Sequence, residues 1–125
     1  YYPGDVYVDI LGVDDYKGVR SKETISKTIT RLEILDNLSK EKNKLFVFSE
    51  TGQEKITNPK WYTEVLLAAI NANEQTRNVS WVLVWRNFST EHHYAPFPGH
   101  QAADDFKDFA DHELTIFLND IKPTE

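Results

Sequence analysis

Three short apolar runs divide the chain, and each run is followed by a polar loop and then by apolar residues at helical spacing. The runs cover residues 6–13, 45–48 and 79–85. They are rich in β-branched and aromatic residues and contain few polar interruptions, which is typical of parallel strands buried on both faces. The sequence therefore predicts three strands, each leading into a helix.

The stretches behind the three runs carry helix signals. Ser21 is a predicted N-cap, and Asn58-Pro59 offers a cap followed by proline in the first turn. Spacings of three and four residues between apolar positions indicate one buried helix face in each stretch. Those positions are Ile25, Ile29, Leu32, Leu35 and Leu38, then Trp61, Val65, Leu66, Ala69 and Ile70, then Ala103, Phe106, Phe109, Ala110, Leu114, Phe117, Leu118 and Ile121.

Three strand–helix units in a row predict an α/β fold, a parallel sheet with helical crossovers. A doubly wound sheet and a piece of a (β/α)8 barrel both satisfy this pattern. The chain has 125 residues, which suits one ordinary domain but is about half of a complete barrel. Since three strands leave two open sheet edges, we expect that the isolated chain does not form a stable monomer.

The composition narrows the classes of function. The 14 Lys and Arg residues are outnumbered by 20 Asp and Glu residues, and the net charge of -6 argues against a nucleic-acid partner. No apolar run approaches the roughly 18 residues of a membrane span. The chain has no Cys, which excludes a thiol nucleophile and any Cys-bound metal. We expect no metal at the adjacent His92 and His93, which are interpreted as solvent or rim histidines.

Polar residues collect where the predicted strands end. In parallel α/β folds the active site lies at this edge of the sheet. The residues concerned are Asp14, Asp15 and Tyr16, then Ser49, Glu50 and Thr51, then Arg86 and Asn87.

Glu50 is the most informative of these residues, because it ends an apolar strand and its charge needs a partner. One interpretation is a structural carboxylate paired with Arg86. The other is a nucleophile or general acid, kept ionised by a hydrogen bond from Tyr16. Alternation along the strand places Glu50 on the face of Phe46 and Phe48.

Four other positions also stand out in the sequence. Trp81 is interpreted as core, whereas Trp85, the last residue of its run, is either core or the floor of a sugar site. His100 either caps the last helix or lines the site. Asp9, in the middle of the first apolar run, is interpreted as a structural acid with a partner inside the fold.

Five motifs follow one another along the chain: YPGD at 2–5, YVDILGVDDY at 7–16, SETG at 49–52, WRN at 85–87 and PFPGH at 96–100. This ordered set resembles the C-terminal part of glycoside hydrolase family 26, whose best-known members are endo-β-1,4-mannanases. The resemblance implies that residues 1–125 form strands six to eight of a (β/α)8 barrel and part of its catalytic domain.

The same resemblance implies a retaining hydrolase that cleaves β-1,4-mannosidic bonds in mannan or a related plant polysaccharide. Glu50 matches the nucleophile, and Tyr16 matches the tyrosine that orients it. The family's acid/base Glu has no counterpart here, so we expect the isolated chain to be inactive without an N-terminal barrel half. No metal or cofactor is implied, and the location is expected to be secreted, periplasmic or at the cell surface. Sugar-binding positions are matched by Asp14, Trp85, Arg86 and His100.

Two alternatives stay open. Other members of the family cleave mixed-linkage β-glucan or β-1,3-xylan. The chain could instead be a non-catalytic glycan-binding piece that uses Trp85, Asn87, Tyr94 and Phe97.

Overall fold

A three-stranded parallel sheet forms the centre of the molecule. The computed structural model describes residues 2–121. The strands pair in chain order, so the predicted parallel sheet with helical crossovers is confirmed. They are β1 (Ile10–Asp14), β2 (Leu45–Thr51) and β3 (Val82–Val84).

One long helix and several short helical segments connect the strands. The stretch behind β2 begins as a π-helix, Tyr62–Leu67, and continues as an α-helix. The α-helices are α1 (Ile25–Lys42), α2 (Ala68–Ile70), α3 (Glu74–Arg77) and α4 (Ala103–Ala110), and the 3-10 turns are Asp5–Tyr7, Glu54–Ile56 and Leu118–Asp120.

The first strand is shorter than the apolar run predicted. Asp5–Tyr7 forms a 3-10 turn, and the Lys44 ammonium accounts for the difference. It donates to the carbonyl of Asp5 at 2.8 Å and to that of Val8, so these groups bond to a side chain rather than to a neighbouring strand. Asp9 precedes β1 and is exposed, so the interpretation of Asp9 as an acid inside the fold is wrong.

The start of the first helix also differs from the prediction. Ser21 is not the N-cap, because α1 begins four residues later at Ile25. The Thr24 hydroxyl organises the turn before it: it donates to the Gly18 carbonyl at 2.9 Å and accepts from the Ser21 N–H at 3.1 Å.

The last helix ends before the apolar pattern does. The spacing predicts a helix as far as Ile121, but α4 ends at Ala110. The Thr115 hydroxyl donates to the carbonyls of Phe109, at 2.6 Å, and of His112, at 2.9 Å. A side chain therefore satisfies carbonyl groups that a longer helix would have bonded internally.

The two faces of the sheet are buried to different degrees. Leu11, Phe46 and Phe48 are 8%, 2% and 0% exposed and pack into one core with the helices. On the other face Leu45 is 57% exposed and Trp81 is 46% exposed. Burial on both faces therefore holds only in part, and the interpretation of Trp81 as core is wrong.

Two buried aspartates, which the sequence pattern did not single out, join the helices. Asp36 of α1 accepts hydrogen bonds from Lys40 at 2.7 Å and from Asn78 at 2.9 Å. Asp105 of α4 accepts from the backbone N–H of Tyr62 at 2.9 Å, at the start of the π-helix. Both satisfy groups that would otherwise lack partners.

A one-residue bulge interrupts the middle strand. Phe48 pairs with Val13, whereas Glu50 pairs with Asp14, so Ser49 is an extra residue in β2. The pairing with β3 is irregular over the same stretch. No helix among residues 2–121 is long and apolar enough to cross a membrane.

Candidate active site

A short hydrogen bond joins two side chains at the carboxyl ends of β1 and β2. The Tyr16 hydroxyl donates to Glu50 Oε1 at 2.6 Å. Burial and this hydrogen bond raise the pKa of Tyr16 above its ordinary value. The phenol therefore remains a proton donor to the carboxylate at neutral pH, as the sequence interpretation expected.

The bulge explains how Glu50 reaches this position. Regular alternation would place Glu50 on the face of Phe46 and Phe48, and that face is filled by the core. Because Ser49 is an extra residue, Glu50 lies beside Asp14 instead. The prediction that Glu50 shares a face with the two phenylalanines is therefore wrong, since it assumed an uninterrupted strand.

The alternative interpretation of Glu50 as half of a structural ion pair is not supported. In the part of the chain that the structure describes, no Lys or Arg nitrogen lies within 4.0 Å of its carboxylate. Arg86 is exposed, and its guanidinium lies 5.2 Å from the centre of the Phe88 ring. Tyr16 is thus the hydrogen-bond partner of the Glu50 carboxylate among residues 2–121.

The adjacent acids after β1 have opposite environments. Asp14 is exposed and accepts a hydrogen bond from the Ser49 hydroxyl at 2.8 Å. Asp15 is buried and accepts from the Gly18 N–H at 2.8 Å, from the Thr28 hydroxyl at 2.7 Å and from Arg31. Only Asp14 is therefore available to a ligand.

The pKa of Asp15 reflects this enclosure. Burial acts to raise it, but the bonds from Gly18, Thr28 and Arg31 outweigh burial and hold the pKa below its ordinary value. Asp15 is an ionised anchor that ties the end of β1 to α1.

The other three predicted site residues lie around the strand ends without bonding to the Tyr16–Glu50 pair. Trp85 is half-buried, and its backbone N–H donates to the Thr51 carbonyl at 2.9 Å. Within residues 2–121, no hydrogen bond joins the side chain of Trp85, Arg86 or His100 to Tyr16 or Glu50.

His100 has a structural position at the start of the last helix. Its Nδ1 accepts from the Ala102 N–H at 3.1 Å, and its Nε2 lies 3.2 Å from the Lys55 carbonyl and 3.3 Å from His93 Nε2. His100 therefore organises the turn before α4 but does not cap the helix, whose N-cap, Ala102, has no side-chain cap hydrogen bond.

The adjacent histidines His92 and His93 have different environments in the structure. His92 is partly exposed and bonds to Glu54 at 2.8 Å, as a rim residue would. His93 is only 4% exposed and packs against Phe97 and His100, so its interpretation as a solvent or rim residue is wrong. No group of three or more His, Asp or Glu side chains within the described range could hold a metal ion.

A pocket of about 460 Å³ is lined in part by Tyr16, and the sequence pattern does not identify most of its other walls. The sequence indicates Tyr94 only as a surface for glycan binding, yet its ring meets the Tyr16 ring edge-on, with the ring centres 5.8 Å apart. Tyr94 lies in the long loop between β3 and α4, and the sequence of this loop gives no signal that its ring contacts Tyr16. The walls include Tyr16, Arg20, Gly52, Glu54, Thr57 and Tyr94.

Solved structures similar to this chain come from one enzyme family. No protein-family model matches the chain. Among solved structures, the chain is similar to a β-mannanase of glycoside hydrolase family 26 from Bacteroides ovatus, with 38% sequence identity and a TM-score of 0.84. The match covers 95% of this chain and 34% of the Bacteroides ovatus chain.

Two further structures agree. A modular endo-β-1,4-mannanase of family 26 from Cellulomonas fimi is 30% identical, with a TM-score of 0.85 over 97% of this chain and 28% of its own. The catalytic domain of a family 26 endo-β-1,4-mannanase from Bacillus sp. JAMB-750 is 27% identical, with a TM-score of 0.83 over 95% of this chain and 35% of its own.

The chain thus spans about a third of the length of each enzyme that it matches. Its three-stranded parallel sheet matches the C-terminal part of these barrel enzymes, and the predicted fold class is confirmed. The resemblance to family 26 is confirmed by the same matches.

Proposed function

We propose that this chain, which corresponds to the C-terminal part of a family 26 catalytic domain, carries the nucleophile half of a retaining, mannan-cleaving site. The observation that supports this proposal is the 2.6 Å hydrogen bond from Tyr16 to Glu50 at the strand ends. Carboxylates act as covalent nucleophiles in glycosidases, and the hydrogen bond from the neutral phenol of Tyr16 orients the Glu50 carboxylate for attack on an anomeric carbon.

The reaction would proceed in two displacements. A Glu50 oxygen forms a bond to the anomeric carbon as the glycosidic C–O bond breaks, and the leaving oxygen takes a proton from an acid. Water then attacks the glycosyl–enzyme ester, loses its proton to the same acid group and releases Glu50. Oε1 is occupied by Tyr16, so we assign the attack to Oε2, which accepts no hydrogen bond from residues 2–121.

Tyr16 would fix the direction of the attacking carboxylate. Its raised pKa keeps the phenol protonated, so it donates to Glu50 in both displacements. Asp14, exposed beside Glu50, is placed to bind a sugar hydroxyl. Trp85 and Arg86 follow β3 and would contact the sugar from the third strand.

The acid that protonates the leaving group would come from outside this chain. A retaining site needs its two carboxyl groups about 5–5.5 Å apart, on opposite sides of the scissile bond. Asp15 is buried and fully engaged by Gly18, Thr28 and Arg31. Asp14 pairs in register with Glu50. The two carboxylates therefore lie side by side and would face the scissile bond from the same side. An N-terminal barrel half is therefore the partner that the site requires.

Mannan is the substrate that the comparisons favour, since the three matched enzymes are β-mannanases. The two other polysaccharides cleaved in this family, mixed-linkage β-glucan and β-1,3-xylan, are the competing substrates. A polysaccharide cannot cross a membrane intact, so the enzyme would act in a secreted, periplasmic or cell-surface location.

A chimera tests the role of Glu50. The chain replaces the matched C-terminal third of the Bacteroides ovatus enzyme, giving what we call the completed barrel. Glu50→Gln should lower kcat on mannan by at least about 1,000-fold, because removal of a nucleophile abolishes the covalent step. Glu64→Gln, at an exposed position of the π-helix, is the matched control and should leave kcat within two-fold.

Two readouts separate the parts of the proposal. Proton NMR of the first-formed sugar product should show retention of the anomeric configuration. Rates on manno-oligosaccharides, lichenan and β-1,3-xylan identify the substrate. Full activity of the Glu50→Gln barrel would overturn the nucleophile role, and faster cleavage of lichenan or xylan would overturn the mannan assignment.

A further inference from the structure

We propose that Tyr94 is a positioning residue, which holds Tyr16 in the orientation that aligns Glu50 for attack. This inference rests on the proposed function of Glu50. It assigns a mechanistic role to the loop between β3 and α4.

The first step is the contact between the two tyrosine rings. Their centres are 5.8 Å apart and their planes are inclined by 68°. Aromatic rings prefer this edge-to-face arrangement at 4.5–7 Å, and such a pair contributes about 0.5–1.5 kcal/mol beyond the area that it buries. In the described part of the chain, Tyr94 is the aromatic neighbour of Tyr16, so its ring limits the rotation of the phenol that holds Glu50.

The second step is the surface beneath Tyr94. A Cβ atom built on Gly52 would lie 2.5 Å from Cδ1 of the Tyr94 ring, which is closer than real contacts allow. Gly52 also has a φ of 145°, a conformation that other residues rarely adopt. Glycine two positions after Glu50 therefore lets the Tyr94 ring lie directly on the backbone of the strand end.

The third step is the backbone of Tyr94, which is fixed on both sides. Asn87 Oδ1 accepts from the N–H groups of Tyr94 and Ala95, at 2.9 and 2.8 Å, and its Nδ2 donates to the Ala95 carbonyl at 2.8 Å. The Tyr62 hydroxyl donates to the Tyr94 carbonyl at 2.6 Å. Tyr62 is fully buried, so contacts run without a gap from the core through Tyr94 and Tyr16 to Glu50.

The expected consequence is a loss in turnover rather than in substrate binding. A displacement of about 1 Å at a reacting group can cost on the order of 100-fold in rate. We expect Tyr94→Ala in the completed barrel to lower kcat about 10-fold and to change KM less than two-fold. Tyr94→Phe should stay within two-fold of the parent, because the ring is retained and its hydroxyl makes no hydrogen bond within residues 2–121.

A double-mutant cycle shows whether Tyr94 acts through Tyr16. In the Tyr16→Phe background the phenol no longer holds Glu50, so Tyr94→Ala should then cost less than two-fold in kcat. Equal losses in the two backgrounds would overturn the proposal, because an independent structural role gives additive effects.

Two glycines supply a matched steric test. Gly52→Ala should reproduce the loss seen in Tyr94→Ala, because the new methyl group displaces the ring. Gly99→Ala introduces a side chain at another positive φ, 87°, with no atom within 4 Å of the added Cβ. It should leave kcat within two-fold, and an equal loss in both variants would show that backbone strain alone is responsible.

A spectroscopic readout keeps this inference separate from the proposed function. The Tyr16 hydroxyl proton, held in a 2.6 Å bond, should give a downfield signal in proton NMR of the completed barrel. The signal should persist in Tyr94→Phe and disappear in Tyr94→Ala. If the Tyr16 signal persists in Tyr94→Ala, the positioning role is overturned. If the signal depends on Tyr94 but the completed barrel hydrolyses no polysaccharide, only the proposed function is overturned.

Discussion

The two faces of the sheet consist of the same strands but differ in what covers them. On the helix-covered face Leu11 and Phe46, which pair across β1 and β2, are 8% and 2% exposed. On the open face the next pair along, Ile10 and Leu45, is 40% and 57% exposed. At this end of the strands one residue of offset separates a core position from a surface position, whereas Val47, two residues after Leu45 on the open face, is 3% exposed.

The apolar runs are typical of a sheet that is buried on both faces. The helices of this chain cover only one of the two faces. Exposed apolar surface of this kind marks a contact with another segment. Since the chain spans about a third of the enzymes that it matches, we interpret the open face as the one that would line the interior of a complete barrel.

The largest expected effect comes from truncating the same side chain on each face. Leu11→Ala should lower the free energy of unfolding by about 3 kcal/mol, because it leaves a cavity in the core. Leu45→Ala should lower it by less than about 1 kcal/mol in the chain alone. Urea titration followed by circular dichroism measures both, at a chain concentration low enough for light scattering to show a monomer.

The completed barrel sharpens this comparison. There the open face gains cover, so the cost of Leu45→Ala should rise towards that of Leu11→Ala. A cost for Leu45→Ala that stays the same in both proteins would contradict our interpretation of the open face.

An intermediate effect is expected at the neighbouring acids after β1. Asp15→Asn should lower the free energy of unfolding by about 2 kcal/mol, since its charged oxygens serve three donors including Arg31. Asp14→Asn, which alters an exposed acid bonded to Ser49, should cost less than about 0.5 kcal/mol. Urea titration of both variants at pH 7 makes the comparison.

The contribution of Asp15 should depend on pH in one direction. Its pKa in the folded chain lies below the ordinary value of 3.8, which we take for the unfolded chain. The stabilisation is therefore fully present above about pH 4 and is lost as the pH falls through the lowered folded pKa. The difference between the parent and Asp15→Asn should shrink below pH 4, and a difference that grows there would contradict this account.

The smallest expected effect is on association of the isolated chain. The open face and the two sheet edges should promote self-association. Leu83→Lys places a charge on the open face, where Leu83 is 43% exposed, and should shift the mass measured by light scattering towards the monomer. Ile34→Lys, at a position of α1 that is 52% exposed, is the control. An equal shift in both variants would implicate net charge instead.

The sequence predicted the order of elements well, because strand and helix periodicities are local properties. It placed the start of the first strand too early, because the carbonyls of Asp5 and Val8 are satisfied by the distant Lys44. It extended the last helix too far, because Thr115 acts on carbonyls several residues before it. Both errors come from side chain–backbone bonds that hydropathy does not reveal.

The site was predicted in part. The pairing of Tyr16 with Glu50 followed from the position of polar residues at strand ends, which topology brings together. The environment of Trp81 was misjudged, since an apolar run does not say whether the cover for a face belongs to the same segment. Tyr94 was missed as a neighbour of Tyr16, because its place depends on Asn87 and on the space above Gly52.

The bulge at Ser49 has a consequence for protein engineering. Without the bulge, Glu50 would lie on the face of Phe46 and Phe48, which packs against the helices. A glutamate substituted at the equivalent position of a regular parallel strand would point into the core in the same way. The transplant needs an insertion: one added residue ahead of the glutamate changes the strand's parity and presents the carboxylate beside Asp14. Residue count, as much as residue type, is therefore part of the design specification for this site.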